Sequence, residues 1–154
     1  MRTSLAGAAA VAMALGALAA GSPWLSPARA EEPLCTETDC SFLSPTGTID
    51  CAIAVGDPSG TPDGATCSWG DGERAHSVTL LPSGELEPCL NLAAQDTDRC
   101  ESEPAEGLPR LGYGETAALG PFSCLADAEG ITCTVPEAAR GFAINSAGIL
   151  PVRL

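Results

Sequence analysis

Lysine is absent from this chain, and positive charge of any kind is scarce. Seven arginines stand against 20 acidic residues, which gives a formal net charge of −13 over 154 residues. A surface this acidic repels phosphate backbones and anionic lipid headgroups. Nucleic acids and acidic membranes are therefore excluded as expected partners, and the simplest role of the acidity is solubility outside the cell.

Histidine, nucleophile motifs and aromatic residues are also scarce. His76 is the single histidine, and no G-x-S-x-G motif accompanies it, so a Ser/His/Asp relay is not expected. His76 is instead predicted to face solvent at the start of a strand. The acids permit a glycosidase-like carboxylate pair, but three Phe, two Trp and one Tyr are too few to build both a core and sugar platforms. We therefore assign no catalytic residue.

Long apolar runs are missing, with one exception at the start of the chain. Leu5 to Ala20 is an apolar run of 16 residues, rich in small side chains, preceded by Arg2 and followed by an A-x-A cleavage site at 28–30. Because a spanning helix needs about 20 residues, this run indicates a secretory signal peptide rather than an uncleaved anchor. We expect a signal peptide at 1–30, an acidic lead-in at 31–41 and a single β-rich domain at 42–154, secreted with no membrane span after cleavage.

Cysteine, by contrast, is plentiful. All eight cysteines lie beyond residue 30, and an even number in an exported chain predicts four disulfides. Two pairs flank hairpin turns and are preferred: Cys51–Cys67 and Cys124–Cys133. The other four are expected to pair locally, as Cys89–Cys100 and Cys35–Cys40, with crossed pairing among them as the alternative. Because an oxidising compartment favours pairing over thiolate ligation, we expect neither a metal site nor another cofactor.

Short alternating apolar runs, separated by Gly and Pro turns, fill the rest of the chain. Two of them share the form acid-Gly-apolar-Thr-Cys-hydroxyl, Asp63 to Ser68 and Glu129 to Thr134. Strands are predicted at 48–55, 65–69, 76–81, 85–90, 116–119, 122–125, 131–135, 140–145 and, as an edge, 148–154, with a short helical turn near 92–95. The pattern predicts an all-β fold, a small disulfide-stapled sandwich or barrel of short antiparallel strands.

Candidate binding residues lie on the turns between these strands. The Gly/Pro-rich tip at 56–64 carries Asp57 and Asp63, and binding residues often lie on loops held by a rigid scaffold. Oxygen ligands on turns suit calcium, but no D-x-[DN]-x-[DN]-G loop is present, so solvated turn acids are expected instead. Tyr113 lies between two glycines. It is predicted to plug the core beside tight turns, with a minor binding contact as the alternative.

The order of several weak motifs resembles a known family. The motifs span residues 44–51, 111–116, 120–124, 130–133 and 140–144. They resemble small secreted actinobacterial cysteine-rich proteins with an SPSGNI-x-C opening, an L-P-Y-G segment, a G-v-t-C hairpin and a G-x-G-F ending. That family is a domain of unknown function, so the resemblance implies export and cysteine pairing without an assigned activity. The family has a cysteine just before its Trp-Gly turn, where this chain has Ser68, and this difference leaves the partner of Cys89 open.

Together these features predict a secreted, non-enzymatic, disulfide-rich β-domain of unknown role. The expected partner is a protein or a cell-envelope component. A small secreted hydrolase that uses carboxylates is the alternative, and a purely structural role in the envelope is also compatible with the sequence.

Overall fold

The structure, a computed structural model, describes residues 34–71, 74–91 and 107–154. Within these residues ten strands form two antiparallel sheets, and in each sheet the chain passes from one strand to its neighbour. Sheet A comprises β1 (Asp39–Leu43), β2 (Ile49–Ala54), β3 (Gly64–Gly70), β4 (Ala75–Leu80) and β5 (Leu86–Asn91). Sheet B comprises β6 (Thr116–Leu119), β7 (Phe122–Ala126), β8 (Ile131–Val135), β9 (Arg140–Asn145) and β10 (Gly148–Arg153).

Alternation of apolar and polar residues explains why these segments form strands with one buried face. In β2 the side chains of Ile49, Cys51 and Ile53 are buried, and the residues between them are not. In β8 every second residue from Ile131 to Val135 is buried in the same way. The buried faces of the two sheets pack against each other, with β3 against β9 and β4 against β8. The fold is a β-sandwich, one of the two architectures that the sequence predicts.

The two sheets repeat one plan. In each, the second and third strands form a hairpin closed by directly opposite cysteines. In each sheet the cysteines belong to one row of paired residues, with one residue from each strand, which we call the rung. From the first strand of the sheet to the fifth, the rung consists of an apolar residue, two cysteines, a second apolar residue and a proline. Its members are Phe42, Cys51, Cys67, Val78 and Pro88 in sheet A, and Ala117, Cys124, Cys133, Phe142 and Pro151 in sheet B. The equivalent residues Cys67 and Cys133 meet between the sheets, with their sulfurs 3.7 Å apart.

The predicted disulfides are confirmed where the structure describes both partners. Three bridges are present: Cys51–Cys67, Cys124–Cys133 and Cys35–Cys40. Cys89 is also disulfide-bonded, and Cys100, its predicted partner, lies outside the described residues. Each of the three described bridges joins residues that face each other on paired backbone segments, so each one fixes a strand register as well as closing a loop.

Proline protects the last strand of both sheets. Leu154 N–H donates to the Ala139 carbonyl over 3.2 Å, and since bonding alternates along an antiparallel strand, the nitrogen of Pro151 points away from β9. The bond from Leu81 N–H to the Glu85 carbonyl, 2.9 Å, likewise turns Pro88 away from β4. Neither proline therefore costs its sheet a hydrogen bond, and each removes a donor that another strand could use. The predicted edge position of the 148–154 segment is confirmed.

Strand β1 was not predicted from the sequence. β1 contains Cys40 and Phe42, both fully buried, and it begins within the segment 31–41 that was interpreted as an acidic lead-in. Its outer edge is also occupied, because Leu43 N–H donates to the Pro109 carbonyl over 2.8 Å and Leu111 N–H donates to the Leu43 carbonyl over 2.9 Å. The predicted helical turn near 92–95 lies outside the described residues.

Candidate functional site

The residues that the sequence suggests for binding lie at opposite ends of the sandwich. Asp57 and Asp63 lie on the β2–β3 tip, at the same end as the β6–β7 turn, where a side chain at Gly120 would come within 2.9 Å of Val55. Because β6 runs toward that turn, Tyr113, which precedes β6, lies at the other end. The structure therefore does not bring these candidates into one site.

The two tip carboxylates close their own turns. Asp57 accepts hydrogen bonds from the Ser59 N–H, at 2.8 Å, and from the Ser59 hydroxyl. Hydrogen bonds from the hydroxyls of Ser59 and Thr61 lower the pKa of Asp57 to about 2. Asp63 accepts a bond of 2.7 Å from the Gly56 N–H. Asp57 thus forms an Asx-type turn, and the bond to Asp63 joins the two ends of the tip.

Tyr113 is not a core residue, contrary to the preferred prediction. Its side chain is 63 % exposed, and the neighbouring Leu111 occupies the buried position instead. A tight turn separates the two environments, since Gly112 N–H donates to the Glu115 carboxylate over 2.7 Å and Glu115 N–H donates back to the Gly112 carbonyl over 3.0 Å. The turn directs Tyr113 outward while Leu111 stays in the core.

The prediction that His76 faces solvent is wrong. His76 is only 8 % exposed, because it takes the inward phase of β4 together with Val78 and Leu80. Its ring stacks on Trp69, directly opposite on β3, with the centroids 4.9 Å apart. Nε2 lies 2.8 Å from the Asn145 carbonyl oxygen. Since that oxygen only accepts, Nε2 carries the proton and ties the two sheets together.

The cysteines at the centre of the sandwich are the one group of potential metal ligands within the described residues. The sulfurs of Cys51, Cys67 and Cys133 lie within 4.8 Å of one another. All three belong to disulfides, and a metal is bound by the thiolate form. The cluster is therefore a packed pair of disulfides.

The feature most suited to recognition is the outer face of sheet B, which we call the neutral face. Its side chains form two rows across all five strands, and none of them is charged or aromatic. The first row is Thr116, Leu125, Thr132, Ala143 and Leu150, and the second is Ala118, Ser123, Thr134, Gly141 and Val152. Leu125 is 39 % and Leu150 is 64 % exposed. The face is thus a pleated surface of small and aliphatic groups.

Sheet A differs in charge. Its outward positions include Asp39, Asp50 and Glu87, and partial burial raises the pKa of Asp50. The five strands of sheet B hold no carboxylate at all. In a chain with 20 acids, the two faces of the sandwich are therefore electrostatically distinct.

Comparison with known protein families, curated proteins and solved structures finds no match to this chain. The resemblance to the secreted actinobacterial family therefore stays a prediction from the sequence motifs. No helix in the described ranges is both long and apolar enough to cross a membrane. The three described disulfides fit an extracellular or otherwise oxidising environment.

The neutral face was not predicted from the sequence, although the distribution of acidic residues contains a signal for it. From residue 116 to residue 153, every acid falls in a turn and none in a predicted strand. Combined with the period-two alternation, that spacing leaves both sides of each strand free of carboxylates. Only the pairing order of the strands, however, shows that these residues form one continuous surface.

Proposed function

We propose that this protein is a secreted, non-enzymatic binding domain that docks another protein on the neutral face of sheet B. The observation that carries the proposal is the segregation of charge: the chain has a formal net charge of −13, yet one whole sheet face has no charged side chain. The centres of protein interfaces are depleted in charge in the same way. Export is supported by the apolar leader at 1–30 and by the disulfides.

The scaffold suits such a role because its interior is covalently held. The bridge Cys51–Cys67 lies in sheet A and Cys124–Cys133 in sheet B, and they touch at the centre of the sandwich. A rigid surface loses little conformational entropy when it binds. A flat face built on paired strands is therefore presented to a partner already in its bound shape.

A protein fits this face better than a polysaccharide or a second copy of the chain. Sugar rings are commonly held by aromatic side chains, but Phe122 and Phe142 are buried in the core and no aromatic residue lies on the face. A second copy would bring its own formal net charge of −13 close to the first. The expected partner presents an uncharged surface of aliphatic and hydroxyl groups.

The test is site-specific photocrosslinking in the cells that produce the protein. A benzophenone side chain is placed at Leu125 or at Leu150 on the neutral face, and at exposed Ala52 on the outer face of sheet A as the control. We expect one protein to be linked at the first two positions and not at Ala52. Adducts to glycan, adducts to the same chain, equal labelling at Ala52 or no adduct at any position would each contradict the proposal.

The linked protein is then purified and its affinity measured directly. Leu125→Asp should weaken binding at least about tenfold, because the new carboxylate loses water in the interface without gaining a partner. Ala52→Asp adds the same charge to the other sheet and should change the affinity little. Equal effects of the two variants would mean that net charge, and not the neutral face, controls binding.

A further inference from the structure

A second surface of this acidic protein brings two positive charges together. At the edge of the sandwich, between the β4–β5 turn and the ends of β9 and β10, lies a cleft of about 210 Å³. Its lining includes Glu85, Leu86, Arg140, Pro151 and Arg153. Two of the chain's seven arginines thus open onto one small cleft.

The two arginines are neighbours by register. Arg153 faces Arg140 directly across the β9–β10 pair, on the side of sheet B that faces sheet A. Like charges directly opposite on paired strands repel each other. Within the described residues, the only ion pair closer than 4.0 Å joins Arg74 to Asp71, so neither cleft arginine is neutralised there by a described carboxylate.

Local backbone structure fixes the position of Arg140. It follows Ala139, whose φ of 52° is the one left-handed value among the described residues other than glycine. That conformation is costly for alanine. The stem of Arg140 also packs on Gly84, where a side chain would come within 3.0 Å of the Arg140 Cβ. The arginine is therefore held in place by backbone geometry and a close contact.

We propose that Arg140 and Arg153 together bind an oxyanion, the carboxylate or phosphate group of a small ligand, in this cleft. Guanidinium groups form paired, charge-assisted hydrogen bonds with both kinds of oxyanion. Bound anion would relieve the repulsion between the two cations. Leu86 and Pro151 offer apolar surface for a short carbon chain attached to the anion. The cleft lies on the inner edge of sheet B, and its lining shares Gly141 and Val152 with the neutral face. Binding of an anion by the two arginines does not depend on protein docking on that face.

The test is titration of the oxidised, secreted protein with inorganic phosphate, acetate and hexanoate, followed by NMR of the arginine side chains. We expect selective shifts of the Arg140 and Arg153 signals, with dissociation constants on the order of 1 mM. Hexanoate binding tighter than acetate and phosphate would assign a carboxylate with a carbon chain, and tightest binding of phosphate would assign a phosphate group. Absence of selective shifts up to about 50 mM of all three probes, far above that constant, would overturn the proposal.

Matched variants separate a built site from general charge attraction. Arg140→Gln and Arg153→Gln should each weaken binding at least about tenfold, as expected for the loss of a charge-assisted hydrogen bond. Arg74→Gln removes the same charge outside the cleft and should leave the affinity unchanged. Glu85→Gln should tighten binding, since a carboxylate lining the cleft is lost. Equal weakening by Arg74→Gln, or no weakening by either cleft variant, would refute the site.

A folding check keeps these results interpretable. Arg140→Lys retains the positive charge and the packed stem but not the planar fork, and it should bind with intermediate affinity. Each variant is compared with the parent by thermal unfolding before titration. If a glutamine variant does not fold, the lysine variant decides: affinity equal to that of the parent would contradict bidentate recognition. Failure of the crosslinking on the neutral face would leave this result unaffected.

Discussion

Removal of the Cys51–Cys67 bridge tests how much the stapled hairpins stabilise the sandwich. Its cysteines are 16 residues apart, and closing a loop of that length raises the free energy of the unfolded chain by about 3 kcal/mol. A typical domain is stable by only about 5–15 kcal/mol. We therefore expect the Cys51→Ala/Cys67→Ala variant to lose about 3 kcal/mol, and more where the two deleted buried sulfurs leave a cavity.

The second bridge should be coupled to the first. Cys124 and Cys133 are 9 residues apart, which gives about 2.6 kcal/mol from loop closure. Because the sulfurs of Cys67 and Cys133 are 3.7 Å apart, removing one bridge opens space beside the other. We expect the variant without both bridges to lose less than the sum of the two separate losses, by about 0.5–3 kcal/mol.

Urea unfolding of the oxidised proteins, followed by circular dichroism, measures these free energies. The Cys35→Ala/Cys40→Ala variant serves as the control for loop length, since its separation of 5 residues corresponds to about 2 kcal/mol. An equal loss in this control and in the Cys51/Cys67 variant would contradict the loop-length explanation. Losses from the two core bridges that add within about 0.3 kcal/mol would show that the sulfur contact carries no energy.

Four further perturbations follow from particular features of the structure. His76→Ala removes the stack on Trp69 and the bond to the other sheet, and thermal or urea unfolding should show a loss of about 1–3 kcal/mol. Hydrogen bonding lowers the pKa of Asp57 from 3.8 to about 2, so Asp57→Asn should lower the melting temperature at neutral pH, and the difference should shrink as the pH falls from about 4 to 2. Burial raises the pKa of Asp50, so protonation of this acid stabilises the folded state, and that stabilisation is lost as the pH rises through the folded pKa. Asp50→Asn should raise the melting temperature at neutral pH, with a gain that disappears in acid. Pro151→Val restores an outward donor on β10 and should increase self-association in sedimentation experiments, whereas an unchanged monomer would contradict the role assigned to that proline.

The local features of the fold could be predicted because their causes are local. The alternation of Ile49, Cys51 and Ile53 determines which face of β2 is buried, whatever the strand packs against. A cysteine on each side of a short turn also predicts the partner, since the hairpin places the two residues opposite each other. Pro151 indicates an edge for a similar reason, because it lacks the donor that a central strand needs.

The remaining features depend on contacts between distant parts of the chain. The strand character of β1 comes from pairing with β2 and from the Pro109–Leu111 segment on its other side, and neither partner is visible in the five residues of the strand. The burial of His76 depends on Trp69 opposite and on the Asn145 carbonyl from the other sheet. The exposure of Tyr113 depends on which side of a tight turn enters the core. For His76 and Tyr113 the residue type alone favours the wrong environment.

The prolines and cysteines of the repeated rung explain why the two sheets form a sandwich and not a barrel. A barrel would need β5 or β10 to donate hydrogen bonds to a strand of the other sheet, but Pro88 and Pro151 remove an outward donor in the middle of each. The same rung places Cys67 against Cys133, which holds the two sheets face to face at their centre. Since the core of the two halves follows one plan, the features that differ between them lie on the surface: carboxylates on sheet A, a neutral face on sheet B and the paired arginines at its edge. Those differences are where selection for distinct partners could act without disturbing the common interior.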